Sequence, residues 1–510
     1  MNHRRITAVI PVSMLLCAPV GAAWGQLAVG TGPISEVWNS NCANCHGVRG
    51  QGGGAGTSSL LGDEFMGAAA MGMDRPFFDA IKHGVPESGM PAFGETMNDA
   101  QIWALTVYLR ELQHRDWRAR HGSPRPDEAG AYTSAHERFR VEAVADSGLD
   151  APWAMDFLPD GRVIVTERPG GVRVLTPGEE GEGWRVSAPV KGTPEVRHRG
   201  QGGMMEVALH PEYERNGWVY LAFADGAGSG RNSPGMTKIV RGRIKEDGEG
   251  GAVWADEETI FKAEERHYLP TNIHFGCRMA FQKDEGTGRY FLYFTIGERG
   301  MGEHAQDLSR PNGKVHRVYD DGEVPADNPF NTEEGKAKGW LGTIWSYGHR
   351  NPQGLVFDER GELWMTEHGP RGGDELNRVV RGGNYGWPEV SYGMNYVGSP
   401  YRTPWPDEGQ DFEMPVDRWL PSIGACGLDV VRGGAFDGWK GDLLAGGLSG
   451  QNLDRVRVAD DGDGRLVVVE REELLHGLGR VRDVSVAPDG TVFIALNGPD
   501  RVIRLVPAGE

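Results

Sequence analysis

The stretch Met155-Asp156-Phe157-Leu158-Pro159-Asp160-Gly161-Arg162-Val163-Ile164-Val165 pairs a short apolar run with a Pro-Asp-Gly turn and an alternating β-branched run. Read alone it is one β-hairpin. The same phrase returns as Val207-Ala208-Leu209 with Trp218-Val219-Tyr220-Leu221, and as Met279-Ala280-Phe281 with Tyr290-Phe291-Leu292-Tyr293-Phe294. It returns again as Leu355-Val356-Phe357 with Leu363-Trp364-Met365, as Leu428-Asp429-Val430-Val431 with Leu443-Leu444, and as Val484-Ser485-Val486 with Val492-Phe493-Ile494. Six copies in residues 139–510 predict a mainly β chain folded as a six-bladed β-propeller. Each hairpin can bury its second face only against a neighbour, so the copies must stack around an axis. Phe139 to Val144 is expected to supply the strand that closes the ring with the C-terminal strands. The extra length at 225–260, 320–340 and 395–420 is expected to form loops on one face.

Upstream of the repeats the texture differs. Residues 30–113 read as a small all-α unit, with Asp99 to Leu112 placing Ile102, Leu105, Tyr108, Leu109 and Leu112 on one helical face behind an Asn98 or Asp99 cap. Residues 114–138 are polar, with prolines and glycines, and read as a linker. Residues 1–25 read as a secretory signal: Arg4 and Arg5, an apolar run to Val20, then Gly21-Ala22-Ala23. That run is too short to span a bilayer, and no other segment reads as an integral membrane span. The expected location is periplasmic or secreted. A net charge of −19 over 510 residues excludes a nucleic-acid partner.

Cys42-Ala43-Asn44-Cys45-His46 is the attachment pattern for covalent haem c. Cys42 and Cys45 would form the thioethers, and His46 would ligate iron. Gly89-Met90-Pro91-Ala92-Phe93 precedes the last helix of the unit and offers Met90 as the second axial ligand, the pairing that raises a haem potential. The unit resembles class I cytochromes c.

Within the propeller, polar residues interrupt the alternation. His274 precedes a strand and Glu298 closes the next one, the pattern of a base oriented by a carboxylate. Arg480 and Arg482 share one side of a strand and suit a multiply charged anion. With Gly200-Gln201-Gly202-Gly203-Met204, His274-x-Gly276-x-Arg278, Gly348-His349-Arg350-Asn351-Pro352-Gln353-Gly354, Glu367-His368-Gly369-Pro370, Asp374-Glu375, Asn384-Tyr385-Gly386-Trp387-Pro388 and Trp419-x-Pro421-Ser422-Ile423, the repeats resemble the pyrroloquinoline quinone (PQQ)-dependent aldose and glucose/sorbosone dehydrogenases. The resemblance implies an oxidoreductase taking a sugar as substrate. His274 would be the base and Glu298 its orienting acid. Gln201, Arg350, Asn351, Arg480 and Arg482 would hold PQQ. The carbonyls of Gly369 and Pro370 would bind Ca²⁺, and Glu375 with the Tyr385 carbonyl a second, structural Ca²⁺. Electrons would pass to haem c and on to an external acceptor, a cytochrome or a quinone-linked chain.

The glucose dehydrogenase branch carries a quinone-contacting lysine near Leu448, where this chain has Ser449. Of the five cysteines, Cys17 is expected to leave with the signal and the haem takes two; Cys277 and Cys426 remain, and in an exported protein a disulfide between them is expected. Two other readings stay open at this point. A cytochrome-linked propeller nitrite reductase requires eight blades and a second haem. A carbohydrate-binding propeller tethered to an electron carrier predicts no PQQ affinity and no dye reduction.

Overall fold

A computed structural model of the chain describes residues 33–53, 57–65, 72–179, 182–228, 233–248 and 250–509. The expected signal segment lies outside the described residues. Helices α1 (Pro33–Asn41), α2 (Ala43–His46), α3 (Asp74–His83) and α4 (Asp99–His121) form the N-terminal unit. A full capping box starts α4: the Asn98 side chain accepts from the Gln101 N–H, and the Gln101 side chain accepts from the Asn98 N–H. The helix runs on to His121, so the first part of the expected linker is helical; an Asp116–Arg120 pair one turn apart supports the extension. Ala131–Thr133, also within that segment, is a strand that pairs with Arg138–Ala145.

The rest of the chain forms six antiparallel sheets. Their innermost strands are Pro152–Phe157, Met204–Leu209, Met279–Lys283, Pro352–Phe357, Ala425–Val430 and Arg480–Val486. These strands contain the first half of each repeated phrase. The sheets therefore make a six-bladed propeller, and the count excludes the eight-bladed reading. The ring closes as expected: Arg138–Ala145 joins the last sheet against Arg501–Pro507, with Val141 opposite Leu505. Adjacent blades are also stitched by side chains. Asp156 accepts from the Leu209 N–H at 2.6 Å, and Asp429 accepts from the Val486 N–H at 2.7 Å. The axis holds a cavity of ≈ 250 Å³ lined by the inner strands.

The segment 225–260 is not a loop. It is a long hairpin of Gly235–Glu246 and Ala252–Lys262, held by cross-strand pairs such as Arg241–Glu258 and Arg243–Asp256. The 395–420 insertion does lack strands until Asp417–Trp419, and it meets the helical unit. Met394 and Trp405 pack into the core of that unit, with the Trp103 and Trp405 rings 5.0 Å apart. The Trp103 indole donates to the Tyr392 carbonyl at 2.9 Å. Arg371 pairs with Glu111, Arg118 with Glu473, and Arg418 with Asp74 across the same boundary. The two units thus meet through an apolar, ion-paired contact.

Candidate active site

The end of the propeller that faces the helical unit gathers most of the expected residues. His274 Nδ1 lies 2.6 Å from Glu298 Oε1, and both side chains are buried. The other Glu298 oxygen accepts from the Met301 N–H at 2.7 Å. A carboxylate only accepts, so the contact places the proton on Nδ1 and leaves Nε2 with its lone pair. Burial holds the His274 pKa below the ordinary histidine value, Glu298 opposes that shift, and Arg350 adds to it. The imidazole is therefore neutral near pH 7 and able to take a proton. His274 and Cys277 in one loop and Arg299 beside Glu298 in the other have positive φ (55°, 88° and 62°), so both loops are held in a conformation that side-chain-bearing residues rarely adopt.

What holds the His274 loop is informative. Gln201 Oε1 accepts from the His274 N–H at 2.7 Å, and Asn351 Oδ1 accepts from the Gly276 N–H at 3.2 Å. Gln201 and Asn351 thus fix the base through its backbone. Arg278, fully buried, reaches every other blade. It pairs with Glu206 and Asp483, donates to the carbonyls of Gln353 and Arg482, lies 3.9 Å from the Cys426 sulfur, and stacks 4.5 Å over Trp153.

Around this floor stand Arg168, Arg350, Arg480 and Arg482. Among the described residues none of the four has a carboxylate ion-pair partner. Arg482 bonds to the Gln353 and Asn497 amides, and Arg350 to the carbonyls of His368 and Gly369. Arg480 is shifted down by burial, then by Arg482 and Arg168. His368 is driven down to about 3 by burial, then by Arg350, Arg482 and His274. Buried positive charge left this far from balance fits a polyanion. The unpartnered buried Arg350 Nε, Arg168 Nε, His368 Nε2 and Trp387 Nε1 fit the same occupant. The tricarboxylate PQQ has that chemistry.

Arg168 lies outside the sequence motifs, and His368 has no role assigned within Glu367-His368-Gly369-Pro370, yet a signal existed. Arg168 follows the strand Val163–Glu167, and His368 follows Leu363–Glu367. Glu298 likewise lies just past the second strand of its blade, so polar residues at that register line this face.

The chain matches the Glucose / Sorbosone dehydrogenase family over residues 149–504. The chain belongs to this family. Residues 32–109 match the family Cytochrome C oxidase, cbb3-type, subunit III, so the N-terminal unit is a cytochrome c domain. Aldose sugar dehydrogenase YliI of Escherichia coli is 34% identical over 369 residues, covering 72% of this chain and 92% of that protein. Quinoprotein glucose dehydrogenase B of Acinetobacter calcoaceticus is 26% identical over 433 residues, covering 69% and 84%. The apo structure of the Escherichia coli aldose sugar dehydrogenase superimposes with a TM-score of 0.61 at 32% identity, covering 72% of this chain and 99% of that one. The PQQ-bound aldose sugar dehydrogenase of Streptomyces coelicolor gives 0.56 at 27% identity, with 72% and 98% covered.

Cys277 and Cys426 are free, buried thiols, not a disulfide. Cys277 packs in an apolar cluster with Met204 and Phe275, while the Cys426 thiol donates to the Arg482 carbonyl at 3.0 Å, so the sulfurs have different partners. The stretch from Leu448 to Gln451 carries no lysine, and Ser449 is exposed there.

Calcium fits unevenly. A cavity of ≈ 20 Å³ lies among Gly348, Glu367, Pro370, Glu375, Tyr385 and Ser391. Burial, then the neighbouring Glu367, pushes the Glu375 carboxyl well above its ordinary value. Two buried carboxylates beside carbonyl oxygens suit a hard divalent cation. The Gly369 carbonyl, however, already accepts from Arg350 Nη1 at 2.9 Å, and the Pro370 carbonyl accepts from the Gly373 N–H at 2.9 Å. An ion on Gly369 would have to displace the guanidinium.

At the haem motif, Cys42 precedes α2, Cys45 and His46 end it, and both thiols are free. Burial, then Cys45, lifts the Cys42 thiol to about 11. The buried His46 Nδ1 has no partner. Met90 is fixed by its backbone: its carbonyl accepts from the Val85 N–H at 3.0 Å, and its own N–H donates to the Val85 carbonyl at 3.2 Å. The donor set of two thiols, an imidazole and a thioether fits haem c.

Proposed function

We propose that the protein is an exported sugar dehydrogenase that oxidises an aldose at PQQ and passes the electrons to its own haem c. The observation that carries this reading is the His274–Glu298 pair beside four arginines without ion-pair partners. Bound there, PQQ would supply the two-electron acceptor for the hydride of the anomeric carbon, and haem c the one-electron relay. The residues do the rest. Arg168, Arg350, Arg480 and Arg482 bind and orient the acceptor's carboxylates. His274 Nε2 takes the proton of the sugar's anomeric hydroxyl, and Glu298 stabilises the imidazolium that results. Gln201 and Asn351 keep the base in place. Glu367 and Glu375 hold a structural Ca²⁺, and a second Ca²⁺ on the Gly369 and Pro370 carbonyls requires Arg350 to release Gly369. His46 and Met90 ligate the haem iron, and Cys42 and Cys45 attach the group. The external acceptor is a cytochrome or a quinone-linked chain.

The test is reconstitution of the full chain with Ca²⁺ and PQQ, followed by a screen of aldoses while haem absorbance is read. Sugar-dependent haem reduction that requires PQQ is expected. Haem that stays oxidised with every aldose, in protein shown to bind PQQ, would overturn the reading, and a chain that binds sugar but no PQQ would leave the sugar-binding alternative. Met90→Ala should convert a low-spin haem to high-spin, and an unchanged spectrum would remove Met90 as a ligand.

A further inference from the structure

The insertion that meets the cytochrome domain also reaches the cofactor arginines. Tyr396 is 56% exposed, although its hydroxyl is tied down. Arg350 Nη2 donates to that hydroxyl at 3.3 Å, and the hydroxyl donates to the Gly369 carbonyl at 3.4 Å. An exposed aromatic face with an anchored edge is rigid and costs little entropy to use. Other apolar groups surround the same mouth. Trp387 lies under Arg350 at 5.2 Å and stacks on Tyr401 at 5.5 Å, and Ile273 and Met301, from the loops carrying His274 and Glu298, are 40% and 36% exposed.

The segment carrying Tyr396 is fixed from both sides. The Met394 N–H donates to the Arg371 carbonyl at 2.9 Å, and the Met394 side chain is fully buried in the cytochrome core. Asn395 closes the turn on Ser399 and Pro400, and the Ile34 N–H at the start of α1 donates to the Gly398 carbonyl at 3.1 Å. The cytochrome domain thus braces the turn that presents the ring.

We propose that Tyr396 is the sugar platform of this site: its exposed ring receives the apolar C–H face of an aldopyranose and holds the anomeric carbon near His274. The proposal rests on the sugar dehydrogenase reading and names the residue that selects a ring-form sugar. A pyranose presents one face of C–H groups and an edge of hydroxyls, so it matches an aromatic face beside a polar, charged wall.

The experiment compares the PQQ-loaded full chain with its Tyr396→Ala and Tyr396→Phe variants. D-glucose is the substrate probe and an artificial dye the acceptor. Binding of 1,5-anhydro-D-glucitol, which has no anomeric hydroxyl to oxidise, is measured by calorimetry. Tyr396→Ala should raise KM and weaken anhydroglucitol binding by about tenfold, with kcat changed much less. Tyr396→Phe keeps the ring and should bind anhydroglucitol as the parent does. PQQ titrations should be alike in all three proteins. Unchanged KM and anhydroglucitol affinity in Tyr396→Ala would overturn the platform. So would a loss confined to PQQ affinity, which would make Tyr396 part of the cofactor site. A parent that binds anhydroglucitol through Tyr396 yet oxidises no aldose would overturn the dehydrogenase reading and leave the platform standing.

Discussion

Arg371 and Glu111 are joined by two parallel contacts, Nε to Oε1 and Nη2 to Oε2, each 2.7 Å. One residue belongs to the Gly369-Pro370 loop of the propeller and the other to α4 of the cytochrome domain. The side chains are 12% and 4% exposed, so solvent screens the pair little. Glu111 is one turn from Tyr108, whose ring lies 5.9 Å from Trp38, and Trp38 lies 6.4 Å from the His46 ring. The pair therefore ties the haem motif to the loop beside Arg350.

Arg371→Met should loosen that tie. Removing one partner of a buried ion pair costs about 3–5 kcal/mol, because the other charge stays buried alone. Calorimetry should show the cytochrome domain melting ahead of the propeller, and stopped-flow haem reduction after sugar addition should slow. Dye-linked sugar oxidation should change less, since that acceptor does not need the docked domain. A single unshifted transition and an unchanged haem rate would show that the apolar contact at Trp103 and Trp405 docks the domain without the ion pair.

The proposed role of His274 as base sets a pH dependence. Burial lowers its pKa, so the imidazole stays neutral to a pH below the ordinary histidine value. The kcat/KM profile should rise through a limb below about pH 6.5 and be flat at neutrality. The Glu298 hydrogen bond opposes the shift, so Glu298→Gln should move the limb to still lower pH and reduce the plateau rate. His274→Ala should abolish sugar oxidation with PQQ still bound. A limb above about pH 6.5 would mean that another group is the base.

Arg168 was absent from the motif set, and its place beside Arg480 and Arg482 makes a direct claim. Arg168→Ala, Arg480→Ala and Arg482→Ala should each weaken PQQ binding, by about 1.5–3 kcal/mol for one lost charge-assisted hydrogen bond. Fluorescence titration with PQQ measures it. Unchanged affinity in Arg168→Ala, with losses in the other two, would confine the anion site to the C-terminal strand.

The propeller was legible because six hairpins repeat one phrase, and the active-site motifs because polar residues break that phrase. The features that went unread share a cause: their signals are spread across the chain. The hairpin of Gly235–Glu246 and Ala252–Lys262 is in the core at Met236, Ile239 and Val240, but its outer end is more exposed and carries charge pairs such as Arg243–Asp256, so its apolar alternation fades there. The end of α4 reads as polar because its Arg118 pairs with Glu473, far along the chain. The Cys277–Cys426 bridge was inferred from a count of thiols, and a count carries no direction. Cys277 turns into an apolar cluster while Cys426 faces Arg482 and the guanidinium of Arg278, which joins six blades.

That guanidinium also sets the last prediction. Arg278 is shared by Glu206 and Asp483, all three side chains being buried, and one positive charge cannot balance two carboxylates. Burial raises the Glu206 pKa above its ordinary value; Arg278 opposes the shift and Asp483 adds to it. The folded protein therefore keeps a proton on this pair at a pH where the unfolded chain has released it. The stabilising contribution is full below the unfolded glutamate value, about 4.3, and is lost as pH rises through the higher folded value. Glu206→Gln keeps an acceptor for Arg278 and cannot ionise, so it should lose less Tm than the parent between about pH 5 and pH 8.5. Arg278→Met should do the reverse: with no cation left, both carboxyls are driven higher, and the alkaline loss should steepen on top of a penalty of about 3–5 kcal/mol. Equal slopes of Tm against pH in the parent and Glu206→Gln would mean that the Glu206–Asp483 pair retains no shared proton, because removing either carboxyl leaves the other balanced by Arg278.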